Sequence, residues 1–272
     1  MLIDDIDFAA LYRQQLRLAR RTEKTPAHWD KRAKAMAERA SLPQDGYLQQ
    51  LLGKIDLHGA RTFFDMGCGP GNLVLAVSPR LEQVYGIDYS PGMLAVATRQ
   101  AQRLGVANAH WIERSWDETW DDLPVCDIAV ASRSTLPADL KAAMRRLNRQ
   151  ARLRVYTTHI VDPLFMPAAI QRALGRDVVE LPTYIYAINI LYQMGIKARL
   201  DFIRGSNYQG DNSTFERFCN NVTWSSGSLN DVEKKRLLVW YQQKISNGEP
   251  IVTPTRDWAL ISWTSVPDAT LS

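Results

Sequence analysis

Arg61-Thr62-Phe63-Phe64-Asp65-Met66-Gly67-Cys68-Gly69-Pro70-Gly71-Asn72 is the stretch around which this chain is organised. A short apolar run ends in an acid. Three glycines follow at alternate positions, and Leu73-Val74-Leu75-Ala76-Val77 then opens as a helix. Glycine adopts backbone angles closed to other residues and lets the main chain come close to a ligand. A strand, a glycine-rich turn and a helix N-terminus together present backbone N–H groups beside the positive end of a helix dipole. Such a cradle suits a nucleotide-like ligand at the carboxyl edge of a parallel sheet. A tight turn with no ligand is the plainer alternative, but it needs neither three glycines nor the acid.

Working outward, apolar strand patterns alternate with helical ones. Strands are expected at Thr62–Met66, Gln83–Asp88, Ala109–Arg114, Asp127–Ser132, Arg154–His159, Ala198–Arg204 and Trp258–Thr264. Helices are expected at Asn72–Val77, Met93–Leu104, Ala138–Arg149, Leu164–Leu174, Thr183–Met194, Thr214–Asn221 and Asn230–Ser246. Helices of this length between strands imply crossover connections and a parallel sheet. Upstream, residues 5–40 read as helix interrupted at Pro26, with a second helix from about His28 to Arg39 and a third over Tyr47–Ile55. The chain thus divides into an N-terminal helical extension, residues 1–58, and one α/β domain, residues 59–272. An insertion at about 160–197 carries Phe165, Met166, Tyr184, Tyr186, Asn189 and Tyr192. It is placed to cover a substrate pocket, although its aromatics serve equally to pack it on the sheet.

Composition sets the outer bounds. The 272 residues are 46% hydrophobic and 23% charged, which is ordinary for a globular chain. A net charge of +4 and a pI near 9.0 do not by themselves demand a nucleic-acid partner. Cys68, Cys126 and Cys219 are too widely spaced for a metal motif, so no metal is expected and a reducing compartment fits. Met1-Leu2-Ile3-Asp4-Asp5 is acidic where a secretory signal is basic. No run approaches the ~18 apolar residues of a membrane span. A cytoplasmic protein without membrane contact is expected.

The spacing of the glycines narrows the ligand. A dinucleotide fingerprint needs its third glycine where Asn72 stands; here Gly71 comes one place early. The lysine of a P-loop is missing too. Asp65-x-Gly67-x-Gly69-x-Gly71 instead resembles the first motif of the class I, Rossmann-like S-adenosylmethionine-dependent methyltransferases. A second match follows at Asp88, 21 residues after Gly67, at the end of a strand. Its two carboxylate oxygens suit a ribose diol. The continuation Tyr89-Ser90-Pro91-Gly92-Met93-Leu94 is similar to the family's D-x-S-x-x-M-L run, with Ser90 as helix cap and Pro91 at the first helical position.

The resemblance implies S-adenosyl-L-methionine as cofactor. It implies a doubly wound, three-layer α/β/α fold with a seven-stranded, mostly parallel sheet whose last strand is antiparallel. The cofactor contacts it implies are Asp65, Gly67, Cys68, Gly69, Gly71, Asp88, Tyr89 and Met93. Ser115 and Trp116 would flank the adenine, and Ser132 and Arg133 would face the methyl-donor end. Many members carry an acid where Ser115 stands. Trp29-Asp30-x-Arg32-Ala33 resembles a segment that some small-molecule methyltransferases fold over the cofactor, with Arg32 on the methionine carboxylate. The Asn/Asp-Pro-Pro-Tyr motif of nucleobase and glutamine methylation is not matched by Ala131-Ser132-Arg133-Ser134.

The donor's sulfonium is already activated, so such chemistry asks chiefly for positioning and a dry site. A general base is needed only where the acceptor must lose a proton. His159, Tyr184 and Tyr208 are the candidates, and His159 draws notice because it ends the fifth expected strand. A lone histidine is as readily structural. The expected function is methyl transfer to a small-molecule acceptor. RNA methylation is the alternative, raised by the basic run Lys141, Arg145, Arg146, Arg149, Arg152 and Arg154. A non-catalytic adenosylmethionine-binding subunit is another, and a homodimer is an assembly open to the chain.

Overall fold

Phe63 and Phe64 set the plan. Successive strand residues point to opposite faces, yet both rings are fully buried, so β1 (Thr62–Met66) is covered on both sides. Each buried phenylalanine is worth about 2–3 kcal/mol. The computed structural model describes residues 2–19, 25–37, 46–164, 166–205, 212–251 and 256–271. The other strands are β2 (Gln83–Asp88), β3 (Ala109–Glu113), β4 (Cys126–Ala131), β5 (Ala151–Ile160), β6 (Arg199–Ile203) and β7 (Trp258–Thr264). They form one sheet in the order β3-β2-β1-β4-β5-β7-β6. Six strands run parallel, and β7 lies antiparallel between β5 and β6. The winding reverses between β1 and β4, and a crevice opens at the carboxyl end of such a switch point.

Three helices precede the sheet: α1 (Phe8–Leu18), α2 (Pro26–Ala37) and α3 (Gly46–Lys54). Pro26 opens α2 rather than interrupting a helix, because its fixed φ and missing N–H suit a first turn. Then come α4 (Asn72–Val77), α5 (Pro91–Leu104), α6 (Leu140–Gln150), α7 (Ala168–Leu174), α8 (Tyr184–Gln193), α9 (Phe215–Ser226) and α10 (Asp231–Ser246). One face of the sheet packs Phe64, Met66 and Val155 against Tyr12 of α1, Met144 and Leu147 of α6, and Ile190 and Leu191 of α8. The other packs Phe63, Ile128 and Tyr156 against Leu51 of α3, Val74 of α4 and Leu94 of α5. This is the three-layer arrangement the sequence implies.

The segment at 160–197 divides in two. Its second helix, α8, lies on the sheet: Tyr186 meets Tyr12 edge-on at 6.2 Å, and Tyr184 meets Phe202 of β6 at 5.7 Å. Its first helix, α7, joins α9 and α10 around Ile170, Leu174, Phe218, Val222, Leu237 and Tyr241 in a core of their own. α7 starts at Ala168 rather than Leu164 because Pro167, lacking an N–H, takes an extended conformation at its head. Phe165 lies outside the described residues.

Candidate functional site

The glycine turn is built from the backbone. The amides of Gly67 and Cys68 both donate to the Ile87 carbonyl, at 2.7 and 2.9 Å, which ties the β1 exit to β2. The Gly69 amide donates to Asp88 Oδ2 at 2.8 Å, and the Ser90 amide donates to Oδ1 at 2.9 Å. A carboxylate has about four acceptor positions. The Tyr89 amide donates to Asp88 as well, so about one position remains for a ribose hydroxyl. Burial pushes the Asp88 carboxyl above its ordinary range, and these amide donors pull it back.

The three glycines have three different reasons. All take left-handed φ, at 74°, 54° and 81° for Gly67, Gly69 and Gly71. A Cβ on Gly67 would stand 2.4 Å from Ser134 Cβ, whose own hydroxyl donates to the Met66 carbonyl at 2.7 Å. A Cβ on Gly71 would stand 2.5 Å from the Trp111 ring, and one on Gly86 would stand 2.4 Å from the same ring. Trp111 of β3 therefore fills the space beneath the turn. A Cβ on Gly69 would meet nothing within 4 Å. That is the glycine that leaves room for a ligand.

Asp65 is buried at the end of β1, and its Oδ1 has no hydrogen-bond partner. Burial raises its carboxyl to about 8, and the Asp88 charge adds to the shift. A buried acceptor of this kind calls for a donor, and an amino group or a bound water supplies one. With the open space at Gly69 and the remaining acceptor position on Asp88, the residues fit an adenosylmethionine. Cys68 is buried against the same turn, and burial holds its thiol well above the usual range, so it offers no thiolate.

Helix α2 docks on this rim. Asp30 Oδ1 accepts from the Ser90 hydroxyl at 2.7 Å and the Gly92 amide at 2.9 Å, where a negative charge meets the start of α5. Ala33 packs with Met93 and Val96, and Trp29 lies against them. Trp29 and Met93 are thus brought together as the contact between α2 and α5. The side chain of Arg32 and all of Tyr208 lie outside the described residues. Tyr89 is half-buried directly after Asp88.

Beyond β3, the Arg114 amide donates to the Asp88 carbonyl at 3.1 Å, which places Ser115 beside the second strand's end. The Ser115 amide donates to Glu118 Oε2 at 2.6 Å, so an acid three residues on folds back to this place. The Trp116 ring packs 5.3 Å from Trp120 and into the core with Phe64. Its carbonyl accepts from Arg146.

Sequence reasoning missed Tyr47. It is buried on α3, and its hydroxyl shares 2.8 Å hydrogen bonds with Ser132 Oγ and Thr158 Oγ1. Arg133 lies over its ring at 4.2 Å. No spacing in the sequence links a helix before β1 to the ends of β4 and β5. The proposed bases are less favoured by their surroundings. His159 lies on the opposite face of β5 from Thr158, is buried, and contacts Thr157 Oγ1 at 3.0 Å. Burial lowers its imidazole to about 3, so it stays neutral and is a weak base at neutral pH. Tyr184 sits by β6, four strand places from β1 and ~19 Å away at ~4.8 Å per strand.

Residues 63–152 match the family described as a methyltransferase domain. An uncharacterised protein of Haemophilus influenzae is 37% identical over 265 residues, 97% of this chain and 98% of its own. A trans-aconitate 2-methyltransferase of Methylobacterium radiotolerans is 39% identical over 62 residues, 22% of this chain and 24% of its own. Among solved structures, the YcgJ protein of Bacillus subtilis superposes with a TM-score of 0.59 at 15% identity, over 81% of this chain and 99% of its own. Phosphoethanolamine N-methyltransferase 2 of Haemonchus contortus, in complex with S-adenosyl-L-methionine, gives 0.53 at 14% identity, over 96% of this chain and 60% of its own.

Proposed function

This chain belongs to the class I S-adenosylmethionine-dependent methyltransferases, and we propose that it methylates a small-molecule acceptor seated above the carboxyl ends of β4 and β5. The observation that carries the reading is the turn at Gly69, open above and tied below to Asp88. When bound, S-adenosylmethionine supplies a methyl group activated by its sulfonium. Asp88 would accept from the ribose diol at its remaining acceptor position. Asp65 would take the amino group or a water at Oδ1. Ser115 and Tyr89 would border the adenine. Tyr47, Ser132 and Thr158 would fix the floor at the methyl end. α2, docked against the start of α5, would help exclude water from this rim, which favours a displacement that needs alignment rather than a proton carrier.

A small acceptor is favoured over RNA by where the basic run goes. Arg149 Nε donates to Asp268 at 2.8 Å, Arg152 lies 3.7 Å from Asp127, and Arg154 pairs with Asp56 at 3.1 Å. Arg146 donates to two carbonyls, those of Trp116 and Glu118. These cations face the chain's own acceptors rather than a phosphate backbone.

The test is calorimetric titration with S-adenosylmethionine. The parent is expected to bind, and Asp88→Ala to lose about 100-fold, since hydrogen bonds to a charged acceptor are worth about 1.5–3 kcal/mol each. A parent that bound NADH and not the methyl donor would overturn the reading.

A further inference from the structure

Two buried acceptors flank the glycine turn with no donor to meet them. One is Asp65 Oδ1 at the end of β1, and the other is Asn72 Oδ1 at the start of α4. Buried polar atoms are normally paired, so two of them on either side of one turn mark a place that a ligand completes.

The surroundings of Asp65 bring it no counter-charge. It shares a face of the sheet with Phe63 and Val130, under α3 and α4. No charged residue stands on α4. On α3 the charged residue is Lys54, which is held by Asp201. Arg99 and Arg103 of α5 are exposed. From β2, Gly86 pairs with Asp65 in register, which puts Asp88 two residues further along on the same face, about 8 Å away between Cα atoms. Asp30, docked at the start of α5, adds a second carboxylate beside Asp88. From β4, the apolar Val130 pairs with Asp65 on its other side. The Tyr47 hydroxyl is engaged by Ser132 and Thr158, and Arg133 lies over its ring. Cys68 of the turn is a neutral thiol. What acts on Asp65 is burial first and the Asp88 charge second, and both favour the neutral acid.

A carboxyl buried without a donor keeps its proton, because the charged form would lose the solvation that water gives it. An ammonium group carries three N–H donors, enough for both unmet acceptors. We propose that Asp65 is neutral without the methyl donor and gives its proton to solvent as the ammonium of S-adenosylmethionine arrives, so that binding releases a proton and strengthens as pH rises. The O–H bond of the acid breaks, the proton leaves to water, and the carboxylate left behind pairs with the ammonium. This rests on the donor reading above and deepens it, since it makes Asp65 a group that destabilises the fold and serves the ligand.

The test is calorimetric titration of the full chain at pH 7 with S-adenosylhomocysteine, in two buffers of different ionisation enthalpy, for the parent and for Asp65→Asn. The parent is expected to release about one proton more per ligand than the variant, and its affinity to rise about tenfold more between pH 6 and pH 7. Comparison with the variant cancels the titration of the ligand's own amine. Methylthioadenosine, which keeps the ribose and adenine but lacks the ammonium, should release none. Unfolding supplies a readout without ligand. The fold keeps this proton up to about 8, whereas the unfolded chain gives it up at about pH 4, so raising the pH across that window favours unfolding of the parent. Asp65→Asn removes this linkage and should melt at or above the parent at pH 7, where loss of a merely structural contact would lower the melting temperature. No proton release by the parent overturns the inference, as do equal release by parent and variant, release with methylthioadenosine, and a variant that melts below the parent. If the variant binds too weakly to titrate, the parent's release with S-adenosylhomocysteine against that with methylthioadenosine decides. If the parent binds neither ligand, the donor reading fails separately, and the melting comparison decides the charge state of Asp65.

Discussion

At the β1–α4 turn, the groups we assign to the donor come from residues 65–90 and are largely backbone amides anchored on one carboxylate. At the rim of β4 and β5, the groups we assign to the methyl end come from residues 47, 132, 133 and 158 and are side chains. A site made from one short loop leaves a pattern in the sequence, because its residue types and spacing are fixed by local backbone geometry. A site made by tertiary convergence leaves none, because nothing local constrains its members. The two proposed regions therefore differ in how far they can be read from the sequence.

The largest expected effect lies at the first region. Gly71→Ala drives a Cβ into the Trp111 ring and strains a left-handed residue, so it should cost about 3 kcal/mol in urea unfolding. A change under ~1 kcal/mol would mean that Trp111 yields freely and that this glycine is not required by packing. At the second region, Tyr47→Phe removes one hydroxyl between Ser132 and Thr158. A loss of about 1–2 kcal/mol is expected, with donor affinity retained. Loss of donor binding there would merge the two regions into one site and break the contrast.

Much of the fold was legible for the same reason as the glycine turn. β1, β2 and β7 fall where the apolar runs place them, because strands covered on both faces read as continuous apolar stretches. β5 begins three residues earlier than expected, at Ala151. Its Arg152 and Arg154 sit at the amino edge paired with Asp127 and Asp56, and charged residues there mask the strand pattern. The split of the 160–197 segment was not legible, since α7 and α8 are both apolar and what distinguishes them is the partner each finds. Trp111 carried a faint signal in Gly86, a glycine inside a strand, which marks a close approach. Tyr47 carried none beyond its residue type, whereas Ser132 and Arg133 could be placed by following the fourth expected strand.

The central claim is that the turn admits the donor over Gly69 while Gly67 and Gly71 serve packing. Titration of S-adenosylmethionine into Gly69→Ala tests it most directly, since the added methyl meets no protein atom within 4 Å. The account predicts a folded variant, destabilised by only about 1 kcal/mol, whose donor affinity falls about tenfold or more. Parent-like affinity in that variant would contradict it, because the space above Gly69 would then not be the donor's.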